Sequence, residues 1–274
     1  MTILLDGKKA AEELEEHCRK ALGQLSYKPI LVIIQVGNRE ESSVYVKQKM
    51  KAGERIGIEV RHVTLPEDVS MADALKAIAE SNEDVSISGI ILQLPVPEHL
   101  DSDFLIDAIL PAKDVDGMTA VNVKLLVNGT HLGVLPATTR GIMFLLNFYR
   151  ITIESKRVLI VGRSKLVGKP TALEFLSHGA TVTIAHRSTQ DLLEEVKRAD
   201  IVVTAIGAPH FFTRDYFREG QVVIDVGINR QAGKLVGDVD FPNVQDLVAA
   251  ITPVPGGVGP MTVAALFANL VDTL

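Results

Sequence analysis

The sequence is poor in cysteine and aromatic residues: among 274 residues there is one cysteine, no tryptophan, and 5% aromatic residues. A lone thiol, Cys18, cannot form an internal disulfide, so we expect a reducing compartment. Long hydrophobic runs are also lacking, since stretches such as Ile30–Ile34 fall far below the roughly 18 apolar residues of a membrane span. The first residues, MTILLDGKKAAEELEEH, turn acidic at once, unlike a signal peptide. We therefore expect a soluble, cytoplasmic protein without a membrane partner.

The chain also lacks an excess of basic charge. It carries 28 Lys and Arg against 34 Asp and Glu, a formal net charge of −6. No dense Lys/Arg stripe is present, which argues against nucleic acid as a partner. With 47% hydrophobic and 23% charged residues, the composition is that of a globular protein rather than a disordered or fibrous one. The length allows one large domain or two modest ones.

Hydrophobic periodicity switches repeatedly between helix and strand. The predicted helices are Ala10–Leu25, Ser42–Ile56, Met71–Ser81, Val167–His178, Thr189–Arg198 and Met261–Leu274. The predicted strands are Pro29–Val36, Glu59–Leu65, Ile87–Leu94, Arg157–Val161, Thr181–Ala185, Ile201–Ile206 and Val222–Val226. Strands that alternate with helices of this length indicate βαβ units and parallel sheets, hence an α/β fold. The Gly- and Pro-containing stretch 111–136 breaks the rhythm, and we place a domain junction near its end.

The segment RVLIVGRSKLVGKP reads as strand, loop and helix, with Gly162 and Gly168 in the loop. Glycines there let backbone N–H groups approach a phosphate at the start of the helix. The spacing is not GxGxxG. It also differs from the phosphate loop of NTPases, because five residues rather than four separate Gly162 from Gly168, and Pro170 replaces the magnesium-binding Ser/Thr. An NTPase nevertheless stays open as an alternative, since Asp225 at the end of VVID resembles a magnesium ligand.

The end of the second strand of this segment distinguishes between nucleotides. An NAD site usually has an acidic residue about 20 residues past the glycines. Here the strand TVTIA leads into His186, Arg187 and Ser188 instead, while Arg163 and Ser164 lie in the first loop. These cations and hydroxyls favour the 2′-phosphate of NADP. The alternative, that Arg187 is a surface charge and His186 a capping residue, stays open at this point.

Candidate chemistry in the first half begins with Tyr45 and Lys49, which share one helix face at spacing i, i+4, unlike Lys47. A partly desolvated lysine loses its proton readily and can serve as an acid or base. The same residues are also compatible with a solvated helix face. Gln93 ends an otherwise apolar strand, where a polar side chain is either a satisfied edge group or a site residue.

Two further loops, PAKDVDG and PVPGGVGPMT, carry residues that could form part of a site. Asp114 and Asp116 lie in PAKDVDG, but no third ligand follows at suitable spacing, so we predict no metal and expect a turn. The segment PVPGGVGPMT, residues 253–262, opens directly into a helix and carries three glycines. It is either a flexible connector or a loop in which the backbone meets a ligand.

Taken together, these motifs resemble those of the bifunctional methylenetetrahydrofolate dehydrogenase/methenyltetrahydrofolate cyclohydrolase family. The resemblance spans nearly the whole chain through VGNREESSVYVKQK, GIILQLPVP, PAKDVDG, VGRSKLVGKP, VIDVGIN and PVPGGVGPMT, in family order. The resemblance implies two βαβ domains flanking a cleft: a catalytic domain of residues 1–138 plus 253–274, and a Rossmann-like NADP-binding domain of residues 139–252. It also implies a homodimer that acts on tetrahydrofolate substrates in one-carbon metabolism.

The family's residue roles carry over by motif. In the S-x-x-Y-x-x-x-K motif, Lys49 is the implied acid/base of the cyclohydrolase step and Tyr45 stacks on the folate. Gln93 would tune the lysine, and Asp116 would anchor the pteridine. The implied substrate contacts are Ser42, Tyr45, Gln93, Asp116, Gly256, Gly257 and Pro260. The implied NADP contacts are Thr138, Gly162, Arg163, Ser164, Gly168, His186, Arg187, Ser188, Ile228 and Thr262.

The resemblance implies two reactions: oxidation of 5,10-methylenetetrahydrofolate with NADP, then hydrolysis of the methenyl product to 10-formyltetrahydrofolate. A monofunctional or NAD-using relative and an NTP-binding regulatory protein are the alternatives. The chain departs from the family at P-C-T-P-x-G, which here reads P-A-T-T-R-G. Ala137 and Thr139 replace the cysteine and the second proline on either side of Thr138.

Overall fold

The computed structural model describes residues 2–130 and 132–274, without the side chains of Glu40 and Glu41. The chain folds into two compact units. The three-stranded unit comprises Glu12–Ala137 with Val263–Leu274, and the six-stranded unit comprises the chain up to Ala11 with Thr138–Thr262. This division assigns the first strand and residues 253–262 to the six-stranded unit, whereas the family resemblance implies that both belong to the catalytic domain.

The helices and strands follow in chain order. The first part of the chain contains β1 (Ile3–Leu4), α1 (Gly7–Leu22), β2 (Ile30–Val36), α2 (Glu40–Ile56), β3 (Glu59–Leu65), α3 (Met71–Glu83), β4 (Ile87–Gln93), α4 (Ser102–Asp107) and α5 (Ala120–Val127). The second part contains α6 (Ala137–Phe148), β5 (Arg157–Val161), α7 (Gly168–Ser177), β6 (Thr181–Ala185), α8 (Leu192–Arg198), β7 (Ile201–Thr204), a 3₁₀ turn (Arg214–Tyr216), β8 (Val222–Asp225), β9 (Asn229–Gln231), β10 (Lys234–Val236), α9 (Phe241–Val244), β11 (Ala250–Ile251) and α10 (Val258–Asp272).

The three-stranded unit is a parallel sheet in the order β3-β2-β4. Every residue of the central strand β2 is buried, which explains why ILVIIQV reads as an apolar run rather than as an alternating strand. Residues of α3 and α4, including Ile78 and Leu105, pack with β2 and β4 in one core. Gln35 and Gln93 are register partners at the ends of β2 and β4. The carboxyl edge of this sheet is therefore polar although its core is aliphatic.

The six-stranded unit is a parallel sheet in the order β1-β11-β8-β7-β5-β6. Its first long strand, β5, has β6 on one side and β7 on the other. The direction of winding reverses between β5 and β7, which creates a topological switch point. In open α/β sheets ligands bind in the crevice at the carboxyl ends of the strands on either side of such a point. The antiparallel pair β9 and β10 forms a separate small ribbon.

The predicted α/β fold with parallel sheets is confirmed, and several elements differ from expectation. Helix α5 lies inside the stretch 111–136 that we read as irregular, and Thr119 caps it by accepting a hydrogen bond from the Asn122 N–H. Helix α6 begins at Ala137, where only a junction was expected. The two-residue strands β1 and β11 have no local signature, because only their pairing defines them. No helix among the described residues is both long enough and apolar enough to cross a membrane.

Candidate active site

Lys49 and Gln93 meet at the carboxyl edge of the three-stranded sheet. Lys49 projects from α2, and its Nζ donates a hydrogen bond of 3.1 Å to Oε1 of Gln93 at the end of β4. The Gln93 Nε2 donates in turn to the carbonyl of Leu94 at 2.8 Å. Because the Gln93 NH₂ group donates to the Leu94 carbonyl, the amide oxygen of Gln93 faces the lysine. The lysine nitrogen is thereby held in place, and when neutral it keeps a lone pair for another proton.

The surroundings of Lys49 shift its pKa and that of the neighbouring Asp116. Burial lowers the pKa of Lys49 from its ordinary value, while the charge of Asp116 acts in the opposite direction. Burial raises the pKa of Asp116, the nearby ammonium of Lys49 counteracts that rise, and Asp114 adds to it. A buried lysine with a lowered pKa can be neutral closer to physiological pH than a solvated one. Burial therefore favours the neutral amine of Lys49, the form that can accept a proton.

Asp114 and Asp116 have different surroundings although they are two residues apart. Asp114 is buried, and its Oδ2 accepts hydrogen bonds from the Thr119 N–H at 2.7 Å and from Asn122 Nδ2 at 2.9 Å. It anchors the turn that precedes α5. Asp116 is partly buried and interacts electrostatically with Lys49. Of the two carboxylates in PAKDVDG, the structure thus brings Asp116 to Lys49.

Ser42, Tyr45 and Lys49 lie along one face of α2, as spacings of three and four residues require. Ser42 is buried, whereas Tyr45 is 39% exposed. Lys47, on another face, is exposed. The surface around Lys49 therefore presents an accessible aromatic ring beside the lysine and the amide.

In the six-stranded unit, Gly162 and Gly168 enclose the loop between β5 and α7. Gly162 has φ of +135°, and a Cβ on Gly168 would overlap the carbonyl oxygen of Gly162. Only glycines allow this close approach of backbone to backbone. Ser164 caps the start of α7, because its Oγ accepts hydrogen bonds from the N–H groups of Val167 and Gly168, each at 3.2 Å. Its part in cofactor binding stays a prediction.

The turn after β6 closes on itself. The His186 N–H donates to Thr189 Oγ1 at 2.8 Å, and the Ser188 N–H donates to His186 Nδ1 at 3.2 Å. Arg187 at the tip is exposed. In the described part of the chain neither Arg187 nor Arg163 forms an ion pair, so both guanidinium groups are available to an anion. Parallel pairing of β5 with β6 brings the two loops to the same sheet edge.

The remaining predicted positions also lie in the six-stranded unit. Ile228 follows β8 and is 43% exposed. Thr262 Oγ1 donates to Thr138 Oγ1 at 3.2 Å, which joins the first turn of α6 to the second turn of α10. The Gly256 carbonyl accepts a hydrogen bond of 2.8 Å from the Gly7 N–H, so the segment PVPGGVGPMT is held by the start of α1. Gly257 and Pro260 follow it, and Pro260 lies in the first turn of α10.

The chain is similar to known proteins over nearly its whole length. Residues 5–116 match the catalytic domain of the tetrahydrofolate dehydrogenase/cyclohydrolase family, and residues 136–274 match its NAD(P)-binding domain. The bifunctional protein FolD of Acholeplasma laidlawii is 49% identical over 268 residues, covering 98% of this chain and 96% of that protein. The chain belongs to the tetrahydrofolate dehydrogenase/cyclohydrolase family.

Solved structures of the family agree with this assignment. The bifunctional FolD dehydrogenase/cyclohydrolase of Campylobacter jejuni superposes with a TM-score of 0.97 at 41% identity, covering 100% of this chain and 98% of that one. The FolD of Trypanosoma brucei, solved with NADP and an inhibitor, superposes with a TM-score of 0.94 at 33% identity, covering 99% and 97%. The predicted resemblance is thus confirmed.

The two residues that depart from the family's P-C-T-P-x-G motif, Ala137 and Thr139, are both buried. Ala137 is buried as the first residue of α6. Thr139 is fully buried, and its hydroxyl shares a hydrogen bond of 3.0 Å with that of Thr171 on α7. The hydroxyl that replaces the family's proline therefore ties α6 to the helix of the glycine loop. Sequence reasoning missed Thr171, because nothing local distinguishes a threonine that finds a distant partner.

A metal-dependent NTPase fits this arrangement poorly. Asp225 is buried, and its carboxylate accepts hydrogen bonds from Thr204 Oγ1 and from the N–H groups of Gly227, Asp238 and Val239 at 2.9 to 3.1 Å. Its oxygens are thus engaged by the protein itself. Among the described residues no group of three or more His, Cys, Asp or Glu side chains is arranged to hold a metal ion.

Proposed function

We propose that the chain oxidises 5,10-methylenetetrahydrofolate to the 5,10-methenyl form with NADP, and then hydrolyses that product to 10-formyltetrahydrofolate. The observation that carries the proposal is the hydrogen bond between Lys49 Nζ and Gln93 Oε1, with Asp116 coupled to the same lysine. A partly buried lysine with a lowered pKa suits the hydrolytic step. Membership of a family of paired dehydrogenases and cyclohydrolases supports both activities.

The six-stranded unit fits NADP. The loop between Gly162 and Gly168 lies at the carboxyl end of β5 and leads into α7, whose N-terminal dipole favours an anion such as a diphosphate. Arg163 and Arg187 would hold the 2′-phosphate, and no acidic residue follows β6 at the position that would repel it. Bound NADP supplies the hydride acceptor for the oxidation. The protein's contribution to that step is orientation, because the folate nitrogen stabilises the resulting cation.

Hydrolysis depends on proton transfer by Lys49. The neutral amine accepts a proton from the water that adds to the methenyl carbon, and the ammonium then returns a proton to the folate nitrogen as the carbon–nitrogen bond breaks. One proton is released to solvent for each cation hydrolysed. Gln93 holds the amine in position throughout, since its oxygen accepts a hydrogen bond in either protonation state.

The folate itself would be held mainly by side chains of the three-stranded unit, which we propose as the catalytic domain. The exposed ring of Tyr45 offers a stacking surface for the pterin. The Asp116 carboxylate can accept hydrogen bonds from its N–H groups. Ser42, Gly256, Gly257 and Pro260 complete the proposed substrate contacts. The homodimer and the cytoplasmic location stay predictions.

A spectrophotometric assay tests the proposal. Methylenetetrahydrofolate is mixed with NADP, and formation and decay of the methenyl intermediate are followed, with NAD in a parallel sample. We expect the intermediate to form faster with NADP and then to decay to the formyl product. Formation without enzyme-dependent decay would indicate a monofunctional dehydrogenase. A faster reaction with NAD would identify an NAD-using relative.

A further inference from the structure

A second buried carboxylate lies in the six-stranded unit at a position that the sequence analysis did not single out. Asp238 is fully buried, and its carboxylate accepts four hydrogen bonds. Oδ2 accepts from the N–H groups of Ile206 at 2.7 Å and Gly207 at 3.2 Å. Oδ1 accepts from the Ala208 N–H at 2.8 Å and from Asn229 Nδ2 at 3.0 Å. Three consecutive peptide groups are thus gathered around one side chain.

These donors lie on two neighbouring loops at the carboxyl edge of the sheet. Residues 206–208 follow β7, and Asn229 begins β9 shortly after the end of β8. Since winding reverses between β5 and β7, the loops after these two strands form the two walls of the crevice where a nucleotide binds. Asp238 therefore organises the wall opposite the Gly162 loop.

The loop after β7 and the loop after β5 are in direct contact. The Ala205 N–H donates to the Val161 carbonyl at 2.8 Å, and a Cβ on Gly162 would overlap the Ala205 carbonyl oxygen. A displacement of residues 206–208 would thus be transmitted to the glycine loop. On the other side, Asn229 directly follows Ile228, one of the predicted cofactor contacts.

We propose that Asp238 is the positioning residue that holds the β7 loop and the Ile228 segment in the conformation required to bind NADP, an inference that rests on the proposed function. A carboxylate is needed, because each of its oxygens serves two donors. An asparagine would turn an NH₂ group toward two of them and leave buried donors unpaired, which weakens the loop. The side chain acts through these peptide groups and is not a catalytic residue.

The test compares Asp238→Asn with Asp200→Asn. Asp200 also accepts a hydrogen bond from a backbone N–H, that of Arg157 at 3.0 Å, but it lies at the amino edge of the same sheet, just before β7. NADP affinity is measured by calorimetry on the free enzyme, and cyclohydrolase activity is measured with methenyltetrahydrofolate in the absence of nucleotide. We expect Asp238→Asn to weaken NADP binding about tenfold, the equivalent of one hydrogen bond, with the cyclohydrolase rate unchanged. Asp200→Asn should leave both unchanged.

Unchanged NADP affinity in Asp238→Asn would overturn the inference, and so would an equal loss in Asp200→Asn. If Asp238→Asn fails to fold, Asn229→Ala decides, because it removes one donor and leaves Asp238 and its three backbone donors in place. A weaker NADP affinity with an intact cyclohydrolase would then support the inference, and an unchanged affinity would refute it. Failure of the proposed function is recognised separately, since the unmodified enzyme would then lack NADP-dependent oxidation.

Discussion

The two units prepare the carboxyl edges of their parallel sheets in different ways. The three-stranded unit places titratable side chains there, and burial shifts the pKa of Lys49 and of Asp116 in opposite directions. The six-stranded unit places glycines, a helix N-terminus and exposed arginines there. Proton transfer requires a side chain with a tuned pKa, whereas binding a diphosphate requires space, aligned N–H groups and positive charge. The difference between the two edges therefore reflects two kinds of chemistry.

Replacing Lys49 with methionine should separate the two activities most strongly. We expect the cyclohydrolase rate to fall roughly a thousandfold, a loss typical for general acid–base groups, while the dehydrogenase keeps a substantial part of its rate. The decay of the methenyl intermediate measures the first and its formation the second. Lys47→Met is the matched control, since Lys47 is exposed on another face of α2. Retention of full ring-opening activity in Lys49→Met would refute the assignment.

Gly168→Ala should have the opposite selectivity. The added Cβ would overlap the Gly162 carbonyl, so the loop must move, and strain of this kind costs about 1–3 kcal/mol. We expect NADP affinity to fall by up to about a hundredfold, with cyclohydrolase activity unchanged. Gly23→Ala serves as a control, because its Cβ would lie 3.5 Å from the nearest backbone oxygens. Equal losses of both activities would show that the two edges are not independent.

Asp225 makes the stability of the protein depend on pH. Burial raises its pKa from the ordinary value of 3.8 to about 6. Between these values the folded state binds more protons than the unfolded state, so this group's contribution to stability increases as pH falls through about 6 toward 4. Relative to Asp225→Asn, the wild type should gain about 2 kcal/mol in unfolding free energy between about pH 7.5 and about pH 4.5. Urea titrations at the two pH values measure this difference, and a difference of the opposite sign would contradict the raised pKa.

The smallest effect is expected for Arg187→Ala. Because the guanidinium is exposed, its contact with a 2′-phosphate should contribute only about 1 kcal/mol. We expect NADP affinity to fall about fivefold to tenfold and NAD affinity to stay the same, as measured by calorimetry with each nucleotide. Arg198→Ala, at an exposed site on α8, should change neither. Equal losses for the two nucleotides would mean that Arg187 does not distinguish them.

Much of the fold follows from local patterns. Strands β3, β5 and β6 have the predicted bounds, because each alternates or is continuously apolar between clear breaks. The motif spacing also selects Lys49 over Lys47, since helical geometry alone decides which residues share a face with Tyr45. Strands β1 and β11 could not be predicted in this way, because two residues acquire a strand conformation only by pairing with distant partners.

Periodicity and motif spacing are local properties of the chain, so they suffice to predict the α/β class, the family and the residue types at each sheet edge. Which of these residues interact depends on how the chain folds in three dimensions. Folding joined Lys49 to Gln93, separated the structural Asp114 from Asp116, and enclosed Asp238 among peptide groups of two loops. These contacts depend on side chains and backbone segments far apart in the chain. Burial, which sets the pKa of Lys49, arises only when those segments pack together.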